Sequence, residues 1–235
     1  MFLDLHTHTI ASGHGSLDTI EKLAKAASQR GIKLLGISDH APGTLGSAKP
    51  SYFKNLRYAP KERHQIHLLY GVELNISKDA PYLDLDEDTL SHLDYAIASM
   101  HIQNYKPQSK DANTALYIEV MKNPYVRIIG HCDDVKFPVD YRQLTLAAKD
   151  YNVFLELNES SLSPDGYRGD TRANNLQLLS YAREFNHPLL IASDSHGALR
   201  VGSFSNVLRL LEEVNFPKQL ILNSDLDLFY QYWNR

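Results

Sequence analysis

The chain begins with a short apolar run that ends in two histidines one residue apart, Phe2-Leu3-Asp4-Leu5-His6-Thr7-His8. In extended backbone, residues i and i+2 face the same side, so His6 and His8 present two imidazoles to one point where a strand stops. That is half of a metal site. The feature constrains the fold because it recurs: an apolar run of strand length, then a side chain of metal-ligating type. Residues 33–37 lead into Ser38-Asp39-His40, 67–72 into Glu73, 94–100 into His101 and 126–130 into His131. Residues 153–157 lead into Asn158, and 188–193 into Asp194-Ser195-His196.

Helical patterns separate these runs. The spacing predicts helices from Ser16 (as cap) to a stop at Gly31, a short one over 86–92, then 111–122 ending at Asn123-Pro124, 141–151, 173–185, 204–214 and 225–233. Residues 220–223 read as a short eighth strand. Residues 41–64 carry Pro42, Gly43, Gly46, Pro50 and Pro60 and read as a long loop with room for a short helix, suited to a lid or to a packed surface excursion. Strand–helix alternation without a linker implies a parallel sheet with right-handed crossovers. Seven or eight such units in 235 residues fit a closed, TIM-like α/β barrel, a single domain over 1–235. A doubly wound open sheet would call for a Gly-rich phosphate turn after the first strand, and none follows it.

In a parallel barrel all strand C-termini form one rim. Seven of the eleven histidines (His6, His8, His14, His40, His101, His131, His196) fall on it, with Glu73 and Asp194. The other four, His64, His67, His92 and His187, lie at strand starts or in loops. A catalytic ion of the zinc type takes three or four protein ligands and keeps a position for water, so nine donors with one shared carboxylate suit three divalent ions. Roughly +6 from the ions less about 2 from the carboxylates leaves about +4, which calls for an anion such as a phosphate monoester. The single cysteine, Cys132, excludes a disulfide or Cys-rich zinc module, and it reads as core. Net charge −4 with no basic stripe argues against long nucleic acid and an anionic membrane. No export signal or spanning stretch is evident, so the expectation is a cytoplasmic soluble protein.

The order of His6-Thr7-His8, Ser38-Asp39-His40, Gly71-Val72-Glu73, Ser99-Met100-His101, Gly130-His131 and Asp194-Ser195-His196 resembles the polymerase and histidinol phosphatase (PHP) superfamily, most of all its stand-alone trinuclear-metal phosphatases. Glu156-Leu157-Asn158 and the stretch around Gly202, Phe204 and Phe216-Pro217 are similar to that subgroup as well. The resemblance implies a distorted (β/α)7 barrel. It implies a first ion on His6, His8, Glu73 and Asp194, with Glu73 bridging to a second on His101 and His131. It implies a third on His14, His40 and His196. Some relatives carry His-Pro after the fifth strand, where this chain has His131-Cys132-Asp133-Asp134. The imidazole-rich set suits zinc, with manganese and iron as alternatives.

The expected activity is metal-dependent hydrolysis of a small anionic phosphate ester by a metal-activated water, with no protein nucleophile. Arg168 and Arg172, near the loop after the sixth strand, are candidate phosphate contacts, as is Asn158. Asp133 is a candidate proton donor or a solvated loop acid, and Asp39 is expected to orient His40 or another ligand. A narrower alternative is histidinol-phosphate phosphatase, and a more distant one a PHP-type nuclease or phosphodiesterase. An amidohydrolase would place a metal-bridging lysine at a middle strand end, where Glu73 and His101 stand instead. A metal-dependent regulatory protein would saturate its ions and leave no water position.

Overall fold

The computed structural model describes residues 1–234. The strands are β1 (Leu3–Asp4), β2 (Thr7–His8), β3 (Leu34–Ile37), β4 (Glu62–Arg63), β5 (Ile66–Asn75), β6 (Tyr95–Ser99), β7 (Val126–Ile129), β8 (Phe154–Asn158), β9 (Leu189–Ala192) and β10 (Ser195–His196). The helices are α1 (Ile20–Gln29), α2 (Pro50–Asn55), α3 (Glu87–Leu90), α4 (Lys110–Val120), α5 (Tyr141–Asp150), α6 (Arg172–Glu184), α7 (Ser205–Glu213) and α8 (Leu226–Trp233). The sheet runs β1-β3-β5-β6-β7-β8-β9, parallel throughout, with the short β4 pairing antiparallel to β5. The α/β barrel expected from the alternation is therefore present, nearly closed.

The seam between the first and last strands closes by three devices. At the rim, β10 pairs in parallel with β2, Ser195 against Thr7 and His196 against His8. Midway, the buried Asp4 carboxylate accepts from the backbone of Ser193 (3.1 Å) and Gly202 (2.8 Å). Below, the Asn223 amide accepts from Ile191 N (2.7 Å) and donates to Ile191 O (2.7 Å) and Leu3 O (2.8 Å). The apolar run 220–223 thus forms two 3-10 turns with one bridge, Leu189 to Ile221, rather than an eighth strand. The physical reason is that Asn223 supplies through its side chain the bonds a strand would have supplied through its backbone.

Two more elements differ from the sequence pattern. The first helix starts at Ile20, because the Ser16 hydroxyl accepts from Asp18 N and holds a turn there. The 41–64 excursion contains α2 and the β4 hairpin. Among the described residues, no helix is long and apolar enough to cross a membrane.

Side chains two residues apart share a strand face. Leu3, Leu5, Leu34, Leu69, Tyr95, Ile97, Ile128, Phe154 and Leu190 form a buried cluster with Leu222 and with Phe229 of α8, which plugs the lower end of the barrel. Continuing the same parity upward gives His40 after β3, Glu73 and Asn75 on β5, His101 after β6, Glu156 and Asn158 on β8, and Asp194 after β9. Hydrophobic filling below thus dictates polar side chains facing one another above. Tyr95 sits between the two layers. Its hydroxyl donates to Leu5 O (2.5 Å), and a Cβ on Gly36 or Gly71 would fall 2.1 or 2.6 Å from its side chain. Glycine at those two positions is what lets one large ring floor the upper chamber.

Candidate metal centre

Glu73 is the hub of that chamber. Its Oε2 lies 2.8 Å from His40 Nδ1, 3.3 Å from His6 Nε2 and 3.5 Å from His8 Nε2. Its Oε1 lies 2.8 Å from His131 Nε2 and 3.3 Å from His101 Nε2. Asp194 Oδ1 stands 3.3 Å from His8 Nε2 and 3.7 Å from His6 Nε2. Donors arranged tetrahedrally about an ion at about 2.1 Å lie roughly 3.4 Å from one another. Four contacts among His6, His8, Glu73 and Asp194 thus lie near that separation, and the ligand atoms of His6, His8 and Asp194 all lie within 4.8 Å of one another.

Hydrogen bonding sets which nitrogen faces inward. His6 Nδ1 donates to Glu156 Oε1 (2.7 Å). His101 Nδ1 donates to Asn75 Oδ1 (2.7 Å). The single Ser12 hydroxyl proton goes to Asp39 Oδ1 (2.7 Å), so Ser12 Oγ accepts from His8 Nδ1 (2.9 Å). Each of these rings is thereby fixed with its Nε2 lone pair toward Glu73, the orientation that outer hydrogen bonds impose on ligating imidazoles. His6 Nε2, His8 Nε2, His40 Nδ1, His196 Nε2 and Glu73 Oε2 are buried without a hydrogen-bond partner. Buried polar atoms left bare are costly, and a cation satisfies all of them together.

The charge balance points the same way. Glu73, Glu156 and Asp194 are buried carboxylates facing these rings, against one buried guanidinium, Arg168. Burial opposes a charge on His6, yet Glu156, Glu73 and Asp194 outweigh it and hold the His6 pKa well above its ordinary value. The position is built for positive charge. Burial, with His196 and His40 adding to it, pushes His8 well below its ordinary value, and burial takes His101 down to about 4 against the pull of Glu73. Those rings stay neutral and can ligate.

Three donor sets have ligand atoms within 4.8 Å of one another: His6, His8 and Asp194; His8, His40 and His196; and His40, Glu73 and His101. His131 joins through its 2.8 Å contact with Glu73. His14 is exposed, in the loop above β2, its ring 4.8 Å from that of His40 and 5.0 Å from that of His196. All nine sequence-derived candidates thus meet at one rim. Two of them, His131 (φ 27°) and Asp194 (φ 52°), have left-handed backbone, and His131, off the strand parity, turns inward by it. Such conformations are unfavourable for residues with a Cβ and cluster at functional sites.

The remaining sequence candidates are each held by neighbouring groups of the protein. Arg168 is 2 % exposed; it donates to Asp194 Oδ2 (2.7 Å), Ser161 Oγ (3.2 Å) and Asn158 Oδ1 (3.3 Å). Asn158 is fully buried, donating to Glu156 Oε2 (3.0 Å) and Asp194 Oδ2 (3.2 Å). Both hold one oxygen of Asp194 and leave the other to His8. Arg172 pairs with Glu213 (2.6 Å) on the surface, outside the cleft that Asp194 and His196 line. Asp133 is fully buried rather than a solvated loop acid, accepting from Ser161 Oγ (3.0 Å) and Asn175 Nδ2 (2.7 Å). Asp39 accepts from Thr9 N, Thr9 Oγ1, Ser12 Oγ and Tyr52 Oη (2.6–2.8 Å), so it steadies His8 through Ser12 and ties α2 to the centre.

Glu156, quoted in the sequence only as part of the resemblance, and Arg200 are residues to which sequence reasoning gave no role. Glu156 had a signal, a lone carboxylate inside the apolar run Val153-Phe154-Leu155-Glu156-Leu157. Arg200 had none. It follows a strand end by four residues and lines the cleft of about 390 Å³ that opens beside Asp194 and His196.

Comparison with known proteins adds the following. The family model described as "PHP domain" matches residues 4–160. A protein of Caldanaerobacter subterraneus subsp. tengcongensis named "Probable phosphatase" is 38% identical over 233 residues, spanning 99% of this chain and 91% of its own. An Acetivibrio thermocellus protein of the same name is 36% identical, spanning 99% and 95%. Among solved structures, Lactococcus lactis histidinol phosphate phosphatase, complexed with zinc, L-histidinol and phosphate, superposes with a TM-score of 0.63 at 19% identity, covering 92% of this chain and 94% of its own. The fold also matches, at a TM-score of 0.56 and 16% identity over 93% and 91%, a structure described under YwqE of Bacillus subtilis and CpsB of Streptococcus pneumoniae, metal-dependent tyrosine phosphatases.

Proposed function

The chain belongs to the PHP domain family and is a phosphatase of that family, and on this footing we propose that it is a metal-dependent phosphoric monoester hydrolase acting on a small phosphorylated metabolite. The observation that carries the reading is the cage around Glu73: five imidazoles within 3.5 Å of its carboxylate and Asp194 beside two of them, with His6 Nε2, His8 Nε2, His40 Nδ1 and Glu73 Oε2 buried and bare. His6, His8, Glu73 and Asp194 would hold one divalent ion, Glu73, His101 and His131 a second, and His14, His40 and His196 a third. Zinc suits this donor set, with manganese or iron as the alternatives. Bound there, the ions supply positive charge for the phosphoryl oxygens and a water acidic enough to attack phosphorus near neutral pH.

The chain's own contribution is to fix the donors. Glu156 spans two of them, accepting from the His6 ring and from the backbone of His131 (2.6 Å). Arg168 and Asn158 hold Asp194, and Ser12 with Asp39 holds His8. No side chain is assigned as nucleophile. The strands beyond the matched segment, β9 and β10, complete the same barrel, which supports reading 1–235 as one domain.

The test is hydrolysis of para-nitrophenyl phosphate by protein of measured metal content, beside Glu73→Ala. Metal-dependent turnover that Glu73→Ala lowers at least a hundredfold is the expected result. Either no turnover in metal-loaded protein or an unimpaired Glu73→Ala variant overturns the proposal. Histidinol phosphate belongs in the same assay as the narrower reading.

A further inference from the structure

The cage around Glu73 accounts for a phosphoryl group but not for what the phosphate is attached to. The cleft of about 390 Å³ beside it is lined at its inner end by Asp194 and His196 and at its outer end by Arg200. Its volume lies within the range of small-molecule sites, but its lining has no aromatic ring and one large aliphatic side chain, Leu199. Ser160, Ser163 and Ser203 line it, half-buried, and their hydroxyls have no hydrogen-bond partner among the described residues. No phenylalanine, tyrosine or tryptophan reaches it.

Of the rim arginines considered, Arg200 alone has an unused charge. Arg168 is committed to Asp194 and Arg172 to Glu213. The Arg200 guanidinium has no hydrogen-bond or ion-pair partner among the described residues. The loop that presents it is nevertheless pinned. Ala198 N donates to Asp18 Oδ2 (2.9 Å), and Gly202 N donates to Asp4 Oδ2 (2.8 Å). Arg30 donates to the carbonyls of Ala198 (2.9 Å) and Leu199 (2.7 Å). The one carboxylate lining the cleft beside Asp194, that of Glu159, is consumed by α7: it accepts from Asn206 N, Asn206 Nδ2 and Val207 N (2.9–3.0 Å). The cleft therefore offers hydroxyls along its wall and, on a pinned loop at its mouth, an uncommitted cation.

We propose that this cleft seats the leaving group of the substrate, and that Arg200 selects phosphate monoesters carrying a second anionic group, a carboxylate or a further phosphate, on a hydroxylated, non-aromatic body. The inference rests on the phosphatase reading and deepens it. A guanidinium binds either anion through paired N–H donors, whereas a glutamine in its place has neither the charge nor the fork. A charge-assisted contact at a partly solvated site corresponds to about a tenfold preference.

The test uses phosphonates, whose C–P bond is not hydrolysed, so that binding is read apart from turnover. Metal-loaded wild-type protein and Arg200→Gln are titrated calorimetrically with propylphosphonate, 2-carboxyethylphosphonate and propane-1,3-bisphosphonate. Wild type is expected to bind one or both dianionic probes about tenfold tighter than propylphosphonate, the stronger arm naming the second group. Arg200→Gln is expected to bind all three alike. Equal affinities in wild type, or a preference retained in Arg200→Gln, overturn the inference while para-nitrophenyl phosphate turnover leaves the phosphatase reading standing. Absence of that turnover in metal-loaded protein overturns both.

Discussion

Replacing Glu156 by glutamine separates the cage's geometry from its ligands, because Glu156 faces the ligands' outer side. Three donors aim at its two oxygens: the His6 ring at 2.7 Å on one, and the His131 backbone N–H at 2.6 Å and the Asn158 amide at 3.0 Å on the other. An amide of the same size has one acceptor. If its oxygen faces His131, its NH2 meets the His6 Nδ1–H, and the ring escapes the clash only by moving its proton to Nε2, the atom aimed at Glu73. If its oxygen faces His6, two N–H groups meet at His131, whose backbone is already left-handed. Either orientation orphans one buried donor, at a cost of about 1–3 kcal/mol. Loss of an outer carboxylate of this kind weakens metal binding by roughly 10–100-fold. Chelator competition on wild type and Glu156→Gln reads the affinity, and melting of the metal-free proteins reads the fold separately. A variant that holds metal within about twofold of wild type and keeps its kcat/KM refutes the reasoning.

Three further outcomes are expected. Stripping the protein with a chelator should abolish turnover and lower the melting midpoint; a metal present at a hundred times its Kd contributes about 2.7 kcal/mol, roughly 5–10 °C for a chain this size, and re-addition of zinc or manganese should restore both. Tyr52→Phe removes the 2.7 Å hydrogen bond from α2 to the buried Asp39 carboxylate and should cost about 1.5–3 kcal/mol in denaturant melts, with metal affinity falling because Asp39 steadies His8 through Ser12. His187, buried at the start of β9, is pushed down to about 4 by burial and then by Lys149. Its depressed pKa makes its share of stability full above the ordinary value near 6.5 and progressively lost as pH falls toward 4, so His187→Leu should remove about 2 kcal/mol of the wild type's loss between pH 7.5 and 5, as read by paired urea titrations of the metal-free proteins.

The rim was legible because two rules coincide in a parallel barrel. Each buried strand reads as an apolar run, and each run stops where its last inward residue reaches the rim. His40, Glu73, His101 and Asp194 obey that parity and were visible as run ends. His131 does not obey it; its inward turn depends on a positive φ that sequence periodicity does not encode. The outer contacts were less visible for a related reason. Ser12 and Asn75 are ordinary polar residues until a ring nitrogen is known to need an acceptor, whereas Asp39, next to His40 at a run end, was expected to orient a ligand and steadies His8 through Ser12. Arg168 was visible as a rim-loop arginine, but its pairing was not: it is drawn inward to give Asp194 a countercharge on its outer oxygen. The missing eighth strand has the same origin, since Asn223 does by side chain what periodicity assigns to backbone.

The position of the centre on the seam links fold and chemistry. His6 and His8 come from the first turn of chain, Asp194 and His196 from beyond residue 190, and they meet because β2 pairs with β10 over only two residues. Backbone pairing that short is weak by itself. The seam is otherwise held by Asp4 and Asn223, single side chains that satisfy backbone groups on both of its sides. An ion held by His6, His8 and Asp194, as proposed, would join the two ends of the chain at the rim, where the backbone does least. Glu73, from the strand midway round the barrel, ties that joint to the opposite wall. On this geometry the centre completes the barrel as well as occupying it. Its removal is expected to loosen the whole molecule rather than one loop, which is why the chelation experiment reads the melting midpoint as well as the rate.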